Sequence, residues 1–341
     1  MPKNYKINKI SEALNLSRNT VSKVLNQKSG VSEKTRKLVF DYIDAVNGNN
    51  ESINPDQTKA IQNKIIMFSY RVENIEYING LLSGIESALK ENGYTMVLNI
   101  VRNNDDAPMS LPTSLYDGSV CGIISFNIYD VQYWQEVISL NIPSVFFDMM
   151  PNYHLFKGRT DIIAPENETS IFEMIKILVG QGHRQFGFIG NPDYCFSLSQ
   201  RWQTFKSALE SFSIPLNMEQ CVFDDHFIED TQALQDRLTK MTVIPDTFIC
   251  ASDRQALTLI SVLHKMALSI PGDVSVVGFD NLPATARSVP PLTTVEAYSE
   301  HQGKMAVKRI LERLECPGKP YEFTQYETTL ILRESTGHSS H

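Results

Sequence analysis

Residues 16–36 read L-S-R-N-T-V-S-K-V-L-N-Q-K-S-G-V-S-E-K-T-R, and they hold a short helix, a turn and the capped start of another helix in a single run. Ser17 is a good N-cap, because its hydroxyl can take a backbone N–H that the first turn leaves unpaired. Val21, Val24 and Leu25 then fall on one stripe at helical spacing. Arg18, Asn19, Ser22, Lys23 and Asn26 fall on the other side. These are short donors and acceptors, with Arg and Lys long enough to reach base edges or phosphates. Ile7, Ile10 and Leu14 make an earlier stripe, and Asn15 stands at the turn between them. Ser32 can cap a third helix with Leu38, Val39, Tyr42, Ile43 and Val46 on its buried side. Three short helices in this order are the layout of a helix-turn-helix DNA reader. A plain helical bundle with a polar surface would share part of the pattern.

Charge separates the two explanations. The chain has 341 residues and a net charge of −8, which by itself argues against nucleic acid. Residues 1–46, however, hold nine Lys and Arg against four acids, so the head carries +5 and the remainder −13. A basic head on an acidic body aims one end at phosphate while the body is repelled. The five cysteines are scattered without metal spacing or a disulfide framework, which fits a reducing cytoplasm. No apolar run is long enough to span a membrane, and no signal-peptide pattern opens the chain. A cytoplasmic protein is therefore expected.

Residues 47–56, N-G-N-N-E-S-I-N-P-D, are a polar, breaker-rich boundary. Beyond it, short apolar runs at 65–68, 96–101, 122–126, 144–147, 186–189, 221–223, 247–251 and 274–279 read as buried strands. Amphipathic stretches at 81–91, 171–179, 202–212, 231–240 and 256–267 lie between them. Such alternation predicts an α/β body with doubly wound parallel sheets, and the strands are too many for one comfortable sheet, so two lobes are expected. In these sheets ligands bind beyond the carboxyl ends of the strands. Phe126, Asp148, Asp253 and Asp280 stand at such ends, and Arg201 is placed at the start of a helix. Acids and Arg can bracket hydroxyls while aromatic rings stack on C–H faces, which suits a polyhydroxylated ligand. Each Asp could instead cap the next helix.

Enzyme signatures are missing. There is no G-x-x-x-x-G-K-[ST], no G-x-G-x-x-G after the first strand and no G-x-S-x-G elbow. The histidines form no ligand pair at helical spacing, and His183 reads as a turn residue rather than a base. No enzyme activity, cofactor or metal is expected.

The chain resembles the LacI/GalR family of bacterial transcription regulators over essentially its whole length. The head matches in Leu16-Ser17-x-x-Thr20-Val21-Ser22-Lys23-Val24-Leu25-Asn26 and in Val31-Ser32-x-x-Thr35-Arg36. The body matches in Ile142-Pro143-Ser144-Val145 through Asp148, in Gly182-His183-Arg184, at Ser252-Asp253 and in Val277-Gly278-Phe279-Asp280-Asn281. Pro290-Pro291-Leu292-Thr293-Thr294-Val295 and Leu332-Arg333-Glu334-Ser335-Thr336 follow in the right order.

The resemblance implies a three-helix DNA-binding head at 1–46, a hinge at 47–63 and a two-lobed body at 64–336 like periplasmic sugar-binding proteins. It places lobe 1 at about 64–163 and 294–321, and lobe 2 at about 164–293 and 322–336. A homodimer on double-stranded operator DNA is implied, most simply a repressor, answering to a small effector such as a sugar or sugar phosphate. Carried over by position, Arg18, Asn19 and Lys23 would face base edges. Ser17, Thr20, Ser22, Asn26, Ser32 and Thr35 would hold phosphates. Phe126, Asp148, Arg201, Phe227, Asp253 and Asp280 would line the effector site. An alternative within the same family is control by a protein co-regulator such as a phosphocarrier. The hinge departs from the family form, with Pro55 followed by D-Q-T-K-A-I-Q and Ile61 the nearest large apolar residue to a wedge. The loop after the first strand also departs, reading Asn74-Ile75-Glu76-Tyr77. After Thr336 no heptad segment follows, so a dimer held by apolar helix faces of the body is expected rather than a four-chain bundle.

Overall fold

The computed structural model describes residues 10, 11, 14, 16–25, 30–32, 35–40, 65–71, 75–101, 111–116, 118–151, 153–224 and 230–337. The chain divides into two compact units, residues 1–62 and 63–341. In the first unit, α1 (Arg18–Leu25) buries Val21 and Val24 against Ile10 and Val39, with Leu14, Leu16, Leu25 and Val31 around them. Ser17 caps α1, its Oγ accepting the Thr20 N–H at 3.0 Å. Ser32 repeats the device, its Oγ accepting the Thr35 N–H at 3.2 Å, and residues 35–40 are helical. Leu38 corrects the expectation of a buried residue: it is 48% exposed, whereas Val39 beside it is fully buried. Successive residues on a helix point about 100° apart, so a small module's narrow core takes one and leaves the other outside. Asn26, Tyr42, Ile43, Val46 and the whole 47–63 linker, with Pro55 and Ile61, lie outside the described residues.

The second unit is built on two parallel sheets. The first has the order β11-β5-β4-β3-β1-β2 and comprises β1 (Ile65–Arg71), β2 (Thr95–Val101), β3 (Val120–Phe126), β4 (Ser144–Phe147), β5 (Asp161–Pro165) and β11 (Phe323–Tyr326). The second has the order β7-β6-β8-β9 and comprises β6 (Phe186–Ile189), β7 (Cys221–Val222), β8 (Thr247–Cys250) and β9 (Ser275–Val277). A short antiparallel pair, β10 (Thr294–Glu296) with β12 (Thr329–Ile331), completes the strands. Parallel strands need crossovers, and helices supply them: α2 (Ile75–Glu91) and α3 (Val131–Ser139) in lobe 1, and α4 (Thr169–Gly180), α5 (Phe196–Ser211), α6 (Thr231–Thr239) and α7 (Asp253–Lys265) in lobe 2. The last helix, α8 (Ser299–Glu315), returns to lobe 1 and lies against α2. Because helices cover both faces, the central strands are mostly apolar, and β4 and β6 are buried at every residue.

The strands read at 144–147 and 186–189 are found at those residues, and the others shift by one to three positions. The lobe boundaries need correction. β11, assigned above to lobe 2, pairs with β5 in the lobe 1 sheet. β10, assigned to lobe 1, bridges toward β9 through Val277–Thr293 and Asp280–Glu296. The cause lies in a buried carboxylate. Asp161 opens β5 and is forked by Arg313 of α8, with Nε at 2.7 Å and Nη2 at 2.9 Å, and it also takes the Glu322 N–H at 2.9 Å. Arg313 further donates to the carbonyls of Lys319 and Pro320. The chain leaving α8 is therefore clamped to the edge of the first sheet. A buried charge is tolerated only when so paired, and the pairing fixes where the strand goes.

The α2–α8 crossing depends on small residues. A Cβ at Gly84 would overlap the Glu300 carbonyl of α8, and one at Gly303 would overlap the Leu81 carbonyl of α2. The obstacle in each case is backbone, which cannot step aside as a side-chain tip can. Gly84→Ala is predicted to lower unfolding free energy by about 1–3 kcal/mol in urea denaturation. Gly318→Ala, whose Cβ would meet nothing within 4 Å, should stay within about 0.5 kcal/mol of the parent.

Candidate functional site

The carboxyl ends of the strands from both sheets meet in a crevice, and Arg201 is its most connected residue. Arg201 sits in the second turn of α5, one turn deeper than the sequence placed it. Its Nε donates to Asn167 Oδ1 at 2.9 Å, and Nη1 donates to the Ala251 carbonyl at 2.5 Å beyond β8. The guanidinium carbon lies 3.4 Å from the centre of the Phe279 ring. Its Nη1 faces Asp280 Oδ1 at 4.0 Å.

The three acids behave differently. Ser252 caps α7, so Asp253 is freed from that task and is fully buried. Its Oδ1 accepts the Thr294 hydroxyl at 2.5 Å and its Oδ2 accepts the Leu282 N–H at 2.8 Å. Both oxygens are thus committed to the loop after β9, a partner set that neither the ligand nor the capping expectation describes. Burial pushes its pKa up to about 6, against the Thr294 and Leu282 hydrogen bonds. Asp148 has a positive φ of 58° and lies just past β4. Its Oδ1 accepts the N–H of Met149 at 2.8 Å and, across the crevice, that of Ser197 at 3.2 Å. Burial raises its pKa too, with the Cys195 thiol bond opposing. Asp280 is different again. Its side chain is 9% exposed, and among the described residues no donor stands closer to it than Arg201. Burial pushes its pKa up to about 8; Arg201 opposes the shift, while Asp253 and Glu296 add to it.

Asp148 belongs to a seam that joins the lobes. Tyr194 donates its hydroxyl to Asn127 Oδ1 at 2.8 Å, and the Phe196 N–H reaches the Met149 carbonyl at 2.7 Å. Phe126 closes β3 and stacks on Tyr77 of α2, with ring centres 5.5 Å apart, and meets Phe147 edge-on. Tyr77, the last residue of the divergent 74–77 stretch, thus supplies an aromatic face. Burial, and next Asp280, raise its hydroxyl well above the usual tyrosine range. The structure therefore brings together Phe126, Asp148, Arg201, Asp253 and Asp280, while Phe227 lies outside the described residues.

In the head, Ser17, Arg18, Asn19 and Ser32 are exposed, and Thr20, Ser22, Lys23 and Thr35 are half-buried. The hydroxyls of Ser17 and Thr20, and of Ser32 and Thr35, lie 2.8 Å apart in each pair, so each cap hydroxyl is held beside the backbone N–H it accepts. Tyr77, Asn127, Asn167 and Tyr194 escaped the sequence because their partners lie far along the chain. His183, read as a turn residue, is buried instead. Its Nδ1 faces Asp246 at 3.2 Å and its Nε2 faces the Gly337 carbonyl at 2.8 Å, which ties the C-terminal segment to lobe 2. Among the described residues, no group of three His, Cys, Asp or Glu is placed to hold a metal ion.

Asp280 makes the site pH-sensitive. Its carboxyl binds a proton more tightly in the fold than in the unfolded chain, so its contribution to stability is complete below about pH 4 and is lost as pH rises toward about 8. Asp280→Asn is predicted to be more stable than the parent at pH 8 and to lose that advantage at pH 4. Urea denaturation at the two pH values measures this.

Residues 175–336 match the family model of a periplasmic binding protein-like domain. The chain is 25% identical over 339 residues to the HTH-type transcriptional repressor PurR of Glaesserella parasuis serovar 5 (strain SH0165), covering 96% of this chain and 97% of that one. Among solved structures it is similar to a transcriptional regulator CelR–cellobiose complex, with a TM-score of 0.68, 20% identity and coverage of 97% and 99%. It is also similar to the lac repressor dimer bound to operator and the anti-inducer ONPF, with a TM-score of 0.67, 22% identity and coverage of 98% and 100%. Full-length similarity to repressors, with the periplasmic-type body and the motifs in order, places the molecule among regulators rather than enzymes. In sequence and fold the chain is similar to the LacI/GalR family of transcription regulators.

Proposed function

We propose that the protein is a homodimeric repressor that binds operator DNA through its head and adjusts that affinity to a small effector held between its lobes. One observation carries the proposal: a capped helix shows Arg18 and Asn19 to solvent and buries Val21 and Val24, in the same chain as a two-lobed body with a polar crevice. In this reading Arg18, Asn19 and Lys23 face base edges, and Ser17, Thr20, Ser22, Asn26, Ser32 and Thr35 hold phosphates. The repressor relatives and the operator-bound lac repressor support it. No described helix is long and apolar enough to cross a membrane, which agrees with a cytoplasmic site of action.

Phe126, Asp148, Arg201, Asp253 and Asp280, with Phe227, would form the effector site. An aromatic face beside Asp280 suits a ring-bearing polar molecule, a sugar or a purine base. Effector binding would favour one lobe arrangement, and that arrangement would set the fit of two heads to two half-sites.

Besides the helix faces, an apolar surface for pairing is offered by a strand. β2 is a sheet edge, and Val97, Leu98 and Ile100 on it are 38%, 48% and 44% exposed. A second copy would cover them.

Binding to operator DNA, followed by fluorescence anisotropy, tests the reading. Arg18→Ala and Lys23→Ala should each weaken binding by about 1–3 kcal/mol and relax sequence preference. Normal operator binding by the double variant would refute it. Leu98→Glu should shift the protein from dimer to monomer in sedimentation equilibrium, since it puts a charge into an apolar contact. An unchanged dimer would place the interface elsewhere.

A further inference from the structure

The crossover from β5 to α4 carries Asn167, which is fully buried and faces more partners than its atoms can serve. Arg201 Nε can only donate, so the oxygen of the Asn167 amide must face it, at 2.9 Å. The amide nitrogen is thereby turned toward three acceptors: the Pro165 carbonyl at 2.8 Å, Gln200 Oε1 at 3.1 Å and Ser197 Oγ at 3.2 Å. It has only two hydrogens to give them. The Pro165 carbonyl is the nearest of the three, so the second hydrogen is shared between Gln200 and Ser197.

Those two residues stand three apart on α5, and so on one face of it. Passing the hydrogen from Ser197 to Gln200 moves the anchor by nearly a turn along the helix and leaves the number of hydrogen bonds unchanged. Each anchor leads to a different place. Ser197 belongs to the seam between the lobes. Its N–H and that of Phe196 are first-turn donors with no partner inside α5, and lobe 1 supplies their acceptors, Asp148 Oδ1 at 3.2 Å and the Met149 carbonyl at 2.7 Å. The Ser197 side chain faces Asp148 as well: burial raises that carboxyl's pKa, and the Ser197 side chain is among the groups that oppose the rise. Gln200 belongs to the hinge. Its Oε1 also accepts from Gln325 of β11 at 3.0 Å, and Gln325 reaches the same Pro165 carbonyl at 3.3 Å. Anchored at Ser197, Asn167 holds the start of α5 against lobe 1. Anchored at Gln200, it ties the hinge strands together and releases Ser197.

We propose that Asn167 is the positioning residue that couples the crevice to the hinge, by passing one amide hydrogen between Ser197 and Gln200. A molecule that engages Asp148 draws it away from Ser197 and sends the hydrogen to Gln200. This rests on the crevice being the effector site and on the lobe angle governing operator affinity.

Amide hydrogen exchange of the full-length protein without ligand tests the inference, read in the peptide that holds Phe196 and Ser197. Asn167→Asp keeps the acceptor for Arg201 and removes both amide hydrogens. Exchange in that peptide should quicken by at least about five-fold, with β4 and β6 within about two-fold of the parent. Gln200→Met removes the competing acceptor and confines the hydrogen to Ser197, so exchange there should slow by about three-fold. An amide that only fills space and satisfies Arg201 gives no change in the first variant and no slowing in the second. Either result would overturn the inference. Should Asn167→Asp loosen both lobes alike, the Gln200→Met result decides alone. Operator binding, followed by fluorescence anisotropy, separates the inference from the function it rests on. The two variants should move operator affinity in opposite directions. If exchange changes as expected while affinity moves in neither variant, or alike in both, lobe-controlled repression fails and the regulatory role of Asn167 fails with it.

Discussion

A guanidinium buried where two sheets meet has to be satisfied, and the way Arg201 is satisfied organises the body. It draws in Asn167 from the crossover into lobe 2, the Ala251 carbonyl beyond β8, the Phe279 ring beyond β9 and the charge of Asp280. A cation of this kind is strongly unfavourable in a low-dielectric interior unless hydrogen bonds and a counter-charge surround it. Three segments far apart in sequence are therefore fixed to within hydrogen-bonding tolerance of one another. The crevice inherits its shape from that requirement. Asp253 extends the same logic, since its two oxygens hold Thr294 and Leu282 and so set the loop on which Asp280 stands.

The lobes are joined by groups that can exchange partners. Asp148 takes the Ser197 N–H from across the crevice, and Tyr194 reaches Asn127. Beside these polar contacts, which water or a ligand hydroxyl can replace at little cost, Tyr194 packs edge-on to Tyr129, and Phe196 packs on Tyr153 and Phe323. The cores on either side are close-packed and cannot deform gradually. In the proposed regulation, a ligand in the crevice would act by changing the angle between lobes. Such regulation requires a two-state element of this kind.

Much of this was legible in the residues. The Ser17 and Ser32 caps, the Val21/Val24 stripe and the strands at 144–147 and 186–189 follow from local rules, because capping and periodicity involve neighbours within one or two turns. Phe126, Asp148, Arg201, Asp253 and Asp280 were legible as positions, since strand ends in parallel sheets mark where ligands bind. The individual roles of the acids were not. The same residue type is committed to the loop at Asp253, bridges lobes at Asp148 and faces Arg201 at Asp280. Each role depends on donors that arrive from elsewhere in the chain.

What the sequence by itself determined, then, was the head, the alternation of strands and helices, and the list of polar residues at the strand ends. Tertiary structure alone decided that β11 crosses to the first sheet, because the Asp161–Arg313 fork joins residues 152 apart in sequence. It decided that Tyr77 fills out the aromatic wall, and that Gly84 and Gly303 must be small, because a helix comes from over 200 residues away to lie against them. Periodicity reports which face of an element is buried. It carries no information about which distant element buries it, and that is set by the pairing of buried charges and by close packing in three dimensions.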